Sequence, residues 1–122
     1  MKIVVLVKRV PDTETKVKVG DNGTTLDPAG VNYILNPYDE FAIEEAILLK
    51  EKHGGETIAL SVGSKDATKE IRTALAMGID SGILLEADTH FSDASSLSSA
   101  IAAKLKDVCF RKSCFLRKDF VF

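Results

Sequence analysis

Residues 3–7 form an unbroken apolar, largely β-branched run, Ile-Val-Val-Leu-Val, near the start of the chain. A strand has this composition when both its faces are covered, as in a parallel sheet, so residues 1–10 are expected to be a central strand. From 11 to 31 polar and apolar residues alternate, with Val17, Val19, Leu26 and Val31 separated by Gly20, Asn22-Gly23 and Pro28. The Asp21-Asn22-Gly23 turn signal predicts a hairpin-like surface excursion. Asn36-Pro37 ends that pattern. Residues 38–52 then place Phe41, Ala42, Ala46, Leu48 and Leu49 at helical spacing, with Glu40, Glu44, Glu45, Lys50 and Glu51 between them. Acidic residues in the first turn and Lys50, Lys52 and His53 in the last suit the helix dipole, and Gly54-Gly55 stops the helix.

The alternation continues. Residues 57–62 predict a second buried strand ending at Gly63, and 66–77 a second helix turning Ile71, Ala74, Leu75 and Met77 inward, closed by Gly78. Residues 83–86 predict a third strand. Residues 92–108 predict a third helix, opened by Ser92-Asp93 and carrying Leu97, Ile101, Ala102 and Leu105 inward. Strands alternating with helices of this length predict an α/β fold: a doubly wound parallel sheet with right-handed crossovers in a three-layer, Rossmann-like architecture.

Composition narrows the function more than the fold. At 122 residues, 45% of them hydrophobic, the chain suffices for one domain. A formal charge of -2 with 28% charged residues of both signs gives no electrostatic case for nucleic acid or an anionic membrane surface. Lys8 interrupts the first apolar run, so no signal peptide and no membrane insertion is expected. Cys109 and Cys114 stand alone, and His53 and His90 are isolated, so neither a disulfide framework nor a metal site is indicated.

The last residues depart from the pattern. A fourth covered strand should follow residue 108, yet Arg111, Lys112, Arg117 and Lys118 fall where it would be apolar. Residues 1–108 are therefore expected to form the domain and 109–122 an atypical basic tail. Such a tail should lie exposed, because its paired cations cannot be buried without partners, leaving the first strand without a neighbour on that side.

Ligands of open parallel sheets bind beyond the carboxyl ends of the strands, where the strand order reverses. The residues at those positions are Lys8 and Arg9, the turn Asn36-Pro37-Tyr38-Asp39, and Val62-Gly63-Ser64. Free N–H groups at a helix start suit a phosphate, which suggests a nucleotide. Neither a Gly-x-Gly-x-x-Gly nor a Walker-type loop occurs. No catalytic set is apparent, Glu40, Glu44 and Glu45 being assigned to a solvated helix face, and any redox role requires a bound cofactor.

Three stretches together carry a family resemblance: VLVKRVPDT at 5–13, NPYDEFAIEEAILLKEK at 36–52 and IRTALAMGIDSGI at 71–83. In collinear order over about the first 108 residues they resemble the β subunit of electron transfer flavoproteins. The resemblance implies an electron-carrier subunit, not an enzyme. It pairs with an α subunit that holds the redox FAD, and passes electrons from primary dehydrogenases such as acyl-CoA dehydrogenase towards the quinone pool. It also implies an AMP bound structurally in the β subunit, or a second FAD in that place in electron-bifurcating relatives. Carried over by position, the nucleotide contacts fall on Leu6, Asn36, Pro37, Tyr38, Asp39 and Val62. Localisation would be the bacterial or archaeal cytoplasm, or the mitochondrial matrix. Family members continue into a fourth apolar strand and a phosphate-wrapping loop where this chain has residues 109–122, so the chain is expected to be a C-terminally truncated or frameshifted form that binds AMP weakly or not at all. Two other readings of the residues are a stand-alone adenine-nucleotide-binding stress-type module and a non-functional fragment.

Overall fold

A computed structural model describes residues 1–88, 92–108 and 114–117, the last four by their backbone course. Its elements are strands β1 (Lys2–Leu6), β2 (Arg9–Pro11) and β3 (Tyr33–Leu35), helix α1 (Pro37–His53), strand β4 (Glu56–Gly63), a 3-10 turn (Lys65–Ala67), helix α2 (Thr68–Met77), strand β5 (Ser81–Glu86), helix α3 (Ala94–Val108) and strand β6 (Cys114–Arg117). The order in the main sheet is β5-β4-β1-β6, all neighbours parallel. This is the expected α/β fold.

Period-two alternation along β1 divides the core between the two faces of the sheet. Ile3, Val5 and Val7 pack with Ala42, Ile43 and Ala46 of α1 and Ile71 and Ala74 of α2. Val4 joins Ile58 and Leu60 on the other face, against Ile101, Leu105 and Val108 of α3. Small residues set the spacing. Ala42, Ala46 and Ala74 bring the helices onto the sheet, and Gly82 leaves room for Ile71, whose Cγ2 a side chain at residue 82 would strike.

At the amino ends of the strands, Asp80 accepts hydrogen bonds from the backbone and hydroxyl of Thr57 and from Lys50 Nζ, tying β4, α1 and the α2–β5 turn together. These bonds hold its carboxyl at about 2, below the usual range. Asp93 caps α3 through Ser96, as Ser92-Asp93 foretold.

Several sequence expectations are corrected. The strand predicted over 1–10 ends at Leu6; Arg9–Pro11 leaves the main sheet and pairs antiparallel with Tyr33–Leu35. The excursion between them has the expected hairpin character, with Val19 bridged to Leu26 around the Asn22-Gly23 turn. In α1 the core face is Ala42, Ile43 and Ala46, while Phe41 is 73% and Leu48 56% exposed. Spacings of three and four from Asp39 select one stripe, and Phe41 and Leu48 fall outside it. Leu75 and Ala102 likewise face outward, and Val108 takes the inward place given to Ala102. The expectation that β1 lacks a neighbour on one side is also overturned, since Cys114–Arg117 pairs with Lys2–Val5. The ladder is made by backbone groups, and β1's row of N–H and C=O groups recruits a strand whatever the charge of its side chains. Expectations about His90, Cys109, Arg111, Lys112 and Lys118, and about the side chains of Cys114 and Arg117, lie outside the described residues.

Candidate functional site

Where β1 ends, the chain turns at Lys8 into β2, and Lys8 becomes a backbone hub. Its carbonyl accepts from Asn36 N at 2.9 Å, and its N–H donates to Asp39 Oδ2 at 2.8 Å. Asn36 in turn caps α1: its Oδ1 accepts from Tyr38 N at 3.3 Å and its Nδ2 donates to Asp39 Oδ1 at 3.2 Å. Pro37, just inside the helix, contributes a preset φ where no N–H is needed.

Asp39 is buried although it carries a charge. Loss of water pushes its carboxyl above the ordinary range, and the Lys8 and Asn36 hydrogen bonds and the Lys8 charge only partly oppose this. Both its oxygens are engaged in holding the turn. Pro37 and Tyr38 face outward, Tyr38 with 61% exposure.

Leu6 and Val62 lie at the carboxyl ends of the adjacent strands β1 and β4. Both are half-buried against the Val4, Ile58 and Leu60 cluster on the α3 side. The structure therefore groups Asn36 and Asp39 with Lys8, and Leu6 with Val62; the two groups meet along the chain, Lys8 following two residues after Leu6. Gly63 is buried with an ordinary backbone, and a Cβ there would meet Ala67 Cβ at 3.7 Å, ordinary contact. Beyond it, Ser64 opens the 3-10 turn without using its side chain as a cap.

The order β5-β4-β1-β6 puts the reversal between β1 and β6. The carboxyl end of β1, and with it the Lys8 hub, borders that crevice. Glu40 and Glu44 are solvent-facing, as the helix pattern implied. Among the described residues no cluster of three or more His, Cys, Asp or Glu side chains could hold a metal ion, and no helix is long and apolar enough to cross a membrane.

One charged group escaped the sequence analysis. Glu70 is only 1% exposed, at the start of α2. The signal was present: Ala67, Glu70, Ile71 and Ala74 follow helical spacing and all four are buried.

The chain matches the Electron transfer flavoprotein domain family over residues 23–113. It is 49% identical over 109 residues to the electron transfer flavoprotein subunit beta of Bacillus subtilis (strain 168), covering 88% of this chain and 42% of that protein. Over 87 residues it is 46% identical to the protein of the same description in Dictyostelium discoideum, covering 70% of this chain and 35% of the relative. The acryloyl-CoA reductase electron transfer subunit gamma of Anaerotignum propionicum is 42% identical over 106 residues, covering 86% of this chain and 39% of its own length. The chain thus spans less than half the length of these relatives.

Proposed function

Because the chain belongs to the Electron transfer flavoprotein domain family, we propose that it is the nucleotide-binding, electron-carrier β subunit of an electron transfer flavoprotein. In this reading it holds AMP at the carboxyl end of β1 and pairs with an α subunit bearing the redox FAD. The complex takes electrons from primary dehydrogenases, such as those for acyl-CoA, and delivers them towards the quinone pool. A second FAD in place of AMP is the variant expected of bifurcating relatives. The working compartment would be the cytoplasm of a prokaryote or the mitochondrial matrix.

The observation that carries the reading is the closed ring of hydrogen bonds among Lys8, Asn36 and Asp39 at the end of the central strand. It fixes a polar turn beside the crevice where open α/β sheets bind ligands. In this scheme the backbone at Leu6 and Val62 meets the adenine edge, while Asn36 and Tyr38 present polar atoms and an aromatic ring to base or ribose. Pro37 sets the turn, and Asp39 holds it in shape. The flavin, when bound in the complex, supplies the redox chemistry; this chain's residues bind and orient.

An NMR titration with AMP tests the site. Amide shifts concentrated at 6–9, 36, 38–39 and 62–64 are expected, and shifts confined elsewhere refute the placement. Gly63→Val adds bulk beyond a Cβ position that already meets Ala67 and should weaken AMP by displacing the 3-10 turn at the end of β4, with Gly63→Ala as the control that the fold accommodates. For the assembly, co-expression with the α subunit should give a yellow two-chain complex. A colourless homodimer that binds ATP would favour the stand-alone module instead.

A further inference from the structure

Helix α2 reaches the candidate site through an ion pair whose carboxylate, Glu70, is buried and whose cation, Arg9, is partly exposed. Glu70 Oε1 lies 3.7 Å from Arg9 Nε, and neither Glu70 oxygen nor Arg9 Nε has a hydrogen-bond partner among the described residues. Arg9 is held from two further sides. Its Nη1 is 3.9 Å from Asp66 Oδ2, and its Cζ sits 4.0 Å above the centre of the Tyr33 ring. Tyr33 is the first residue of β3, so both strands of the small ribbon meet at this guanidinium.

The ribbon is short. Its pairs are Arg9 with Leu35, Val10 with Ile34 and Pro11 with Tyr33, and Pro11 has no N–H to give. A two-stranded ribbon of this size is marginal alone, and a slip of one residue exchanges its faces. The register matters because Lys8 precedes Arg9 and Asn36 follows Leu35. A slipped ribbon would separate Asn36 N from Lys8 O and Lys8 N from Asp39 Oδ2, opening the ring that shapes the site.

An ion pair whose buried carboxylate lacks hydrogen bonds is poor value as a stabiliser, since an apolar pair of similar volume does as well or better. Its use lies in specifying one arrangement. We propose that Glu70 is a positioning residue for the nucleotide site: by holding Arg9, and through it the β2–β3 register, it sets the Lys8-Asn36-Asp39 ring relative to α2 and the end of β4. The ligand half of this proposal rests on the nucleotide reading above.

The test is to compare the wild-type chain with Glu70→Gln, Arg9→Gln and the double variant, well below their melting temperatures. AMP affinity would be followed by NMR titration, and hydrogen exchange at the amides of Lys8 and Asn36, with Leu60 as a core reference. Each single variant should weaken AMP about 10-fold and speed exchange at Lys8 and Asn36 but not at Leu60, and the double variant should add nothing further. If Glu70→Gln lowers the melting temperature yet leaves affinity and both site amides unchanged, Glu70 is a core group and the proposal falls. Additive losses in the double variant would overturn the route through Arg9. Should Glu70→Gln fail to fold, Arg9→Gln carries the same test, because Arg9 is partly exposed and lies outside α2. A wild-type chain that binds no AMP would refute the nucleotide reading alone, with exchange at Lys8 and Asn36 still deciding the positioning role.

Discussion

Replacing Asp39 removes the acceptor of two donors at once. In Asp39→Ala, Lys8 N–H loses a charged acceptor at 2.8 Å and the Asn36 amide loses one at 3.2 Å. A hydrogen bond to a charged group contributes about 1.5–3 kcal/mol, and a buried donor left unpaired costs about 1–3 kcal/mol. Part of that is returned, because the buried carboxylate no longer has to be stripped of water. The net loss should be about 2 kcal/mol, or about 8 °C in Tm for a domain of this size. Asp39→Asn keeps one acceptor for Lys8 N and should lose about half as much. The pH dependence gives a sharper check. Burial raises the folded-state carboxyl above its ordinary 3.8, so Asp39 favours folding most when protonated. Its contribution is fully present below 3.8 and declines as pH rises through the raised folded value. Asp39→Asn lacks this titration, so its deficit relative to wild type should be larger at pH 3 than at pH 7. Urea denaturation of both chains at the two pH values measures this. A deficit larger at pH 7 would refute the reasoning, since it would mean that the hydrogen bonds outweigh burial.

Other outcomes follow from the packing and the strand ends. Gly82→Ala drives a methyl into Ile71 and should cost about 1–3 kcal/mol; in an Ile71→Ala background the penalty should shrink, measured by a denaturation double-mutant cycle. Ile43→Ala empties a fully buried position between α1 and the sheet and should cost about 2–5 kcal/mol in the same assay. Asp80, lowered to about 2 by its Lys50 and Thr57 bonds, contributes stability that is present above 3.8 and lost as pH falls through about 2; Asp80→Asn should abolish that acid-limb dependence in pH-dependent melting.

The alternation of apolar runs with helical spacing made the layered sheet legible, because burial on both faces forces a continuous β-branched strand such as Ile3-Val4-Val5. The stretch Asn36 to Asp39 was legible as a turn for a similar reason, Asn caps and Pro presets helix starts. What could not be read was the exit of Arg9–Pro11 from the main sheet. Lys8 and Arg9 extend an apolar run without a turn residue, and the partner that captures them, Tyr33–Leu35, lies beyond a long excursion. Glu70 was hidden differently. Its neighbours in α2 marked the inward face, but an acidic residue is assigned to solvent unless its cation is known, and Arg9 sits on a distant strand. The sequence-derived inward set for α1 erred because Phe41 and Leu48 are apolar residues left outside, which composition alone cannot separate from Ile43.

The central position of β1 has a consequence for how the chain is made. Among the described strands the earliest in the chain is the last to be completed: Ile3 must wait for Thr57 before its first ladder forms, and for Phe115 before its second. Until then Ile3, Val4 and Val5 are a nascent apolar segment with both edges open, the kind of stretch that chaperones hold and that pairs wrongly with its neighbours. Folding on the ribosome is thus paced from the carboxyl side, and slowing synthesis between β4 and β6 should lengthen the interval in which this strand is vulnerable, whatever the stability of the finished sheet.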